Sequence, residues 1–154
     1  MPWTRRIEEV EFVSVDLETT GLAPGFDRIT EVGAARFRVR RDGSVDPGPV
    51  FDQLVDPGQR IPPHIVALTS ITDAMVEGAP LIAEVWPELA NFLIGDGAPT
   101  VLLAHNAAFD LSFLVAAAHQ QGEAWAGPPA ACTVRIARRA LPEAPRYGLS
   151  VLVE

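Results

Sequence analysis

The sequence predicts an α/β domain, a mixed sheet with helices packed on it. Three observations carry this. The first third reads as consecutive strands with short links, the signature of an antiparallel meander. The second half carries helical spacing of apolar residues. Between the helices lies one short apolar run, "TVLLAH", which suits a strand buried on both faces. The element order is βββ-α-β-α-α, and runs of that kind build an α/β layer structure.

The first strand is "EFVSVDLE", followed by the turn "TTGLAPGFD". Alternate side chains of a strand share a face, so Phe12, Ser14, Asp16 and Glu18 point one way and Val13, Val15 and Leu17 point into the core. The next strand, "RITEVGAARFRVR", places Ile29, Gly33, Ala35, Phe37 and Val39 on one face and Arg36 and Arg38 on the other. "DGSVDPGP" is expected to be the hairpin link to a third strand, "VFDQLVD". "ITDAMVEG" reads as a short helix or turn. "APLIAEVWPELANFLIG" has a stripe at Leu81, Val85, Leu89, Phe92 and Leu93, and Pro87 should kink or split it. "NAAFDLSFLVAAAHQQG" is the clearest helix, with Asn106 as N-cap and a stripe at Phe109, Phe113, Leu114 and Ala117. "ACTVRIARRAL" is a further helix, stopped by Pro142, and "YGLSVLVE" begins another.

The chain has 154 residues, which suits one domain, and 48% hydrophobic content supports a sizeable core. No apolar run approaches the ~20 residues of a membrane helix. "MPWTRRIEEVEF" has no apolar stretch behind its basic residues, so the expected location is cytoplasmic. The single cysteine, Cys132, excludes an internal disulfide and reads as a small helix residue. All twelve basic residues are arginine, and the net charge is −8. That balance excludes a basic nucleic-acid coat, but it suits an enzyme that meets a polyanion through divalent cations.

The chemistry is concentrated in two stretches. In "VDLETTG" the Cα atoms of Asp16 and Glu18 fall about 6.6 Å apart on one strand face. Like charges this close raise each other's pKa. A divalent cation turns that repulsion into ligation, and oxygen-only ligands favour Mg²⁺ or Mn²⁺. The bland alternative is a solvated acid pair at a strand end. Thr19-Thr20-Gly21 permits a tight turn that brings backbone N–H groups toward a ligand. In "LLAHNAAFD" a third acid, Asp110, falls just past the first turn of a helix that follows a buried strand. Its bland reading is complementarity to the helix dipole. For His105 it is a backbone-bonded histidine at a strand end.

Taken in order, "VDLETTGL", "ITEVGAARF", "LTSITDAMV", "LLAHNAAFDLSFL" and "TVRIARRALP…YGLSVL" resemble the DEDD exonuclease superfamily, in particular its DEDDh-type proofreading members such as the epsilon subunit of bacterial DNA polymerase III. The likeness runs from about Phe12 to the end. It implies a ribonuclease H-like fold, with a mixed five-stranded sheet flanked by helices, and a single exonuclease domain over 1–154. It implies a 3′–5′ exonuclease, a phosphodiesterase that uses two divalent cations, Mg²⁺ or Mn²⁺. Asp16 and Glu18 match the first-motif acids and Asp110 the second-motif acid, as catalytic residues and metal ligands. Thr19, Thr20, Gly21 and Leu22 would meet the terminal sugar and base. His64, Leu68 and Thr69 fall in the loop covering the terminal nucleotide, and His64 stands where the family often has glutamate. His105, Asn106 and Phe109 would line the groove for the next nucleotide. The expected partner is a single-stranded 3′ end of DNA, with RNA as the alternative, and a DNA polymerase subunit is a further candidate. No membrane is implied.

One motif of the resemblance is not matched. The family's third motif, a histidine or tyrosine followed by an aspartate, has no counterpart after "YGLSVLVE". Tyr147, His119 and His64 are poorly placed substitutes. The expectation is therefore a C-terminally truncated domain, lacking its last helical segment, with weak metal binding and little activity by itself. A non-catalytic nucleic-acid-binding module and a polymerase scaffold are the competing readings.

Overall fold

The computed structural model describes residues 5–153. After a 3-10 turn at Ile7–Glu9 the chain forms β1 (Glu11–Thr19), β2 (Ile29–Val39) and β3 (Val45–Leu54). Three helices follow: α1 (Pro63–Thr69), α2 (Asp73–Val76) and α3 (Ile82–Ile94). Then come β4 (Thr100–Ala104), α4 (Ala107–Gln120), β5 (Ala130–Cys132), α5 (Thr133–Ala140) and α6 (Leu149–Leu152). The sheet order is β3-β2-β1-β4-β5. β1 pairs antiparallel with β2, and β2 with β3, whereas β1, β4 and β5 run parallel. Among the described residues no helix is long and apolar enough to cross a membrane.

The alternation expected in β1 is present. Val13, Val15 and Leu17 are buried, and they join Val32, Ala34, Leu102 and Ala104 in the main core. Val85, Trp86, Leu89 and Leu93 of α3 and Phe113, Leu114, Ala117 and Ala118 of α4 complete it. Both long helices therefore pack on the same core, the one into which Val13, Val15 and Leu17 point. The other face of β1, with Phe12, Ser14, Asp16 and Glu18, is half-buried or exposed.

In β2 the two faces carry unexpected roles. Gly33, Ala35 and Phe37 lie on the side of Asp16 and Glu18, and Phe37 stacks on Phe12 at 5.5 Å between ring centres. Arg36 is on the core side and buried. Its guanidinium pairs with Glu11, donates to the Phe92 carbonyl at 2.5 Å, and lies 5.8 Å from the Phe92 ring centre. A charge tolerates that depth only with such partners. The hairpin is also displaced: the turn is made by Arg40–Ser44, with Arg40 N–H on the Ser44 carbonyl, and "VDPGP" belongs to β3. A register shift between Ala35 and Phe37 accommodates it.

α3 runs unbroken through Pro87. A proline inside a helix costs about 3 kcal/mol. Val85, Trp86, Leu89 and Leu93 flank it on both sides and are all buried, each stabilising by about 1.5–3 kcal/mol, so packing outweighs the lost hydrogen bond. Leu81 is not on the buried stripe; it is the exposed N-cap residue, and its N–H donates to Glu84 at 2.7 Å.

Two elements differ from the predicted order. The segment holding His64, Leu68 and Thr69 is a helix, α1, rather than a loop, started by Pro62-Pro63. Its Ile65 joins Ile61, Ile71 and Val76 in a second, smaller core. Cys132 closes a fifth strand instead of sitting in a helix, and α5 begins only at Thr133.

Candidate active site

Three parallel strands end on one side of the sheet, and three of the candidate residues, Asp16, Glu18 and His105, line the groove there. Glu18 lies near the end of β1, His105 follows β4, and Thr133 follows β5. In open α/β sheets ligands bind outside the carboxyl ends of strands. A groove of about 710 Å³ opens at this edge, lined by Asp16, Glu18, Glu31, Asp52, His105 and Thr133 among others.

Asp16 is exposed and Glu18 half-buried. Burial raises the pKa of Glu18, and the charges of Asp16 and Glu31 raise it further. Asp110, in the first turn of α4, is only 3% exposed. Its Oδ1 accepts the Leu17 backbone N–H at 3.1 Å, from the residue between the two β1 acids. Burial lifts its pKa to about 6 against the opposing Leu17 hydrogen bond, with Asp16 and Glu18 adding repulsion. The three acids thus form one electrostatic group, although Asp110 reaches it from the helix and does not line the groove.

Two further acids were missed from sequence. Glu18 faces Glu31 across the β1–β2 ladder, and Gly33, opposite Asp16, faces Asp52 on β3. Burial, with the charges of Asp52 and Asp16, raises the pKa of Glu31. The signal was the period-2 spacing from Glu31 to Gly33, but it becomes informative only once the hairpin register is known.

Divalent cations suit this donor set. All the acids are oxygen ligands, and Glu18, Glu31 and Asp110 have pKa values raised by burial and, less, by neighbouring carboxylates, a cost that a cation would relieve. Among the described residues no three Asp, Glu, His or Cys side chains converge into a ready-made cage. Asp16, Glu18 and Asp110 could hold cations with water or substrate oxygens completing the coordination.

The remaining candidates divide into exposed and structural groups. Leu22 is 82% and Leu68 79% exposed; His64 and Asn106 are exposed too. Thr19 is buried, its hydroxyl donating to the Gly21 carbonyl at 2.6 Å. Thr20 is 1% exposed and its hydroxyl is engaged: Arg28 N–H and Gln59 Nε2 donate to it at 3.0 and 2.8 Å, and Asp27 lies at 3.3 Å. It braces the Gly21–Asp27 turn, so its side chain is not offered to a ligand. Thr69 donates to the Ile65 carbonyl. Phe109 is half-buried against Phe113 at 5.1 Å. Asn106 is the residue before α4, as expected, but it adopts a left-handed conformation (φ 71°, ψ 52°) with no side-chain cap bond. His64, Leu68 and Thr69 sit over the smaller core and outside the acidic groove.

The mixed five-stranded sheet, with acids at the carboxyl ends of its parallel strands, has ribonuclease H-like architecture. The sequence pattern of the exonuclease family (RNase T type) matches residues 13–154. The chain belongs to this exonuclease family. It is 46% identical over 154 positions to a Mycobacterium tuberculosis protein with a provisional bifunctional exonuclease/endonuclease name, covering 95% of this chain and 22% of that one. It is 38% identical over 144 residues to a Clostridium perfringens DNA polymerase III PolC-type, covering 94% of this chain and 9% of that one. It is 46% identical over 109 residues to a Rhodobacter capsulatus DNA polymerase III subunit epsilon-like protein, covering 70% and 14%. The chain thus spans less than a quarter of the length of each of these relatives. Among solved structures, exonuclease X in complex with 5′ overhanging duplex DNA superposes with TM-score 0.66 at 29% identity, over 92% of this chain and 70% of that one. E. coli exonuclease I with a dT13 oligonucleotide shares the fold, at TM-score 0.78 and 18% identity, over 94% and 35%.

Proposed function

We propose that this chain is the nuclease domain of a metal-dependent 3′–5′ exonuclease that removes nucleoside monophosphates from DNA 3′ ends in proofreading or repair. The observation that carries the reading is the coupling of Asp110 to the backbone between Asp16 and Glu18. Asp16, Glu18 and Asp110 would hold two divalent cations. Such a pair, when bound, supplies an activated water and stabilises the leaving 3′ oxygen in an in-line displacement. The chain's own residues hold the strand. Leu22 and Leu68 offer exposed apolar surface for the terminal nucleotide, and His64 lies one helical turn before Leu68 on α1. His105, Asn106 and Phe109 border the path of the next one. A polymerase partner is supported by the PolC-type and epsilon-like names among the relatives.

The test is digestion of a 3′-labelled single strand with Mg²⁺ or Mn²⁺, beside a matched RNA. Release of mononucleotides from the 3′ end, lost in Asp16→Ala, is expected. Release from the 5′ end, or activity that survives Asp16→Ala, would overturn the reading. Strand binding without cleavage would instead favour the binding module.

A further inference from the structure

His105 and Thr133 leave the sheet side by side. Ala104 of β4 pairs with Cys132 of β5, so the next residue of each strand emerges at the same level. His105 Nδ1 lies 2.9 Å from Thr133 Oγ1. The same hydroxyl donates to the Ala104 carbonyl at 3.3 Å. A carbonyl can only accept, and a threonine hydroxyl has one proton to give. With that proton directed at Ala104, Oγ1 must accept from His105. The proton of the neutral ring therefore sits on Nδ1, and Nε2 is left with a bare lone pair. Nε2 has no hydrogen-bond partner among the described residues. Both side chains line the groove that Asp16 and Glu18 share.

We infer that Thr133 is a positioning residue which fixes neutral His105 as the Nδ1–H tautomer and so presents Nε2 to the groove as a hydrogen-bond acceptor. An acceptor there selects for donors. It would take a hydroxyl or amino group of the bound strand and would gain nothing from an unprotonated phosphate oxygen. Backbone fixation of this kind costs the site little, because Ala104 ends β4 and Thr133 directly follows β5 as the first residue of α5. The selection of donors on a bound strand rests on the nuclease reading; the tautomer does not.

The tautomer is read by ¹⁵N NMR of the imidazoles in this chain without metal or nucleic acid, at a pH where the ring is neutral. His105→Gln identifies the signal among the three histidines. Nδ1–H is expected in the wild type and in Thr133→Ser, with a shift to Nε2–H in Thr133→Val. Nε2–H in the wild type, or Nδ1–H retained in Thr133→Val, would overturn the assignment. The second readout is anisotropy of a fluorescent single-stranded deoxyadenylate oligomer with a free 3′ hydroxyl. Binding should weaken about three- to tenfold in Thr133→Val and stay near wild type in Thr133→Ser. A tautomer shift with unchanged binding would overturn the groove role. Absence of any binding by the wild type, with the tautomer as expected, would count against the nuclease reading and leave the Thr133–His105 assignment standing.

Discussion

The Leu17 N–H donates to Asp110 Oδ1 at 3.1 Å, joining residues 93 positions apart. This bond fixes the helix acid to the strand that carries the other two. It also offers the simplest handle on the energetics of the site.

Asp110 is held near pKa 6 rather than 3.8, so the folded chain binds its proton more tightly than the unfolded chain. Stability therefore falls as pH rises from about 4 to about 6, and above that the full cost remains. Asp110→Asn keeps an oxygen for the Leu17 N–H and cannot ionise. Urea unfolding without metal should show it about 1–3 kcal/mol more stable than wild type at pH 7 and equal near pH 4. A difference independent of pH would refute the electrostatic account.

Cations should reverse that penalty. Mg²⁺ or Mn²⁺ binding only the folded state stabilises it by about 2.7 kcal/mol at a hundred times Kd. The melting temperature should rise with added cation and should not in Asp16→Ala. Because Asp110 is held at about 6, uptake near pH 6 should release its proton, seen as a buffer-dependent binding heat.

Thr20 is a brace rather than a contact. Thr20→Val keeps the shape and removes the acceptor used by Arg28 N–H and Gln59. A loss of about 1–3 kcal/mol in chemical denaturation is expected. Strand binding should suffer only through looser placement of Leu22.

Arg36→Met should cost about 3–5 kcal/mol, because Glu11 and the Phe92 carbonyl lose their donor in a buried setting. Adding Glu11→Leu should recover much of it. If the double variant is as unstable as the single one, packing rather than the stranded charge is responsible.

Legibility followed the reach of each signal. β1 and its division into core and acid faces were readable because period-2 alternation is local to Val13–Glu18. Asp110 was readable because the strand and helix around it have strong patterns. Glu31 and Asp52 were not, since their place beside Asp16 depends on the β1–β2–β3 register and on a turn at Arg40–Ser44 instead of the Gly/Pro-rich segment after it. β5 has three residues, too few for any periodicity. α1 starts at a Pro-Pro pair that reads as loop, yet proline at a helix's first position costs no hydrogen bond. The burial of Arg36 was not readable because its partners, Glu11 and Phe92, come from distant segments.

The left-handed backbone at Asn106 has a consequence for how this sequence can drift. That conformation costs an ordinary side chain about 1–2 kcal/mol, and asparagine, aspartate and glycine are spared most of it. The site just before the Asp110 helix therefore has a very short permitted alphabet, set by backbone geometry alone. A polar residue retained there across descendants would record the angle of the turn, whether or not its amide ever touches a nucleotide.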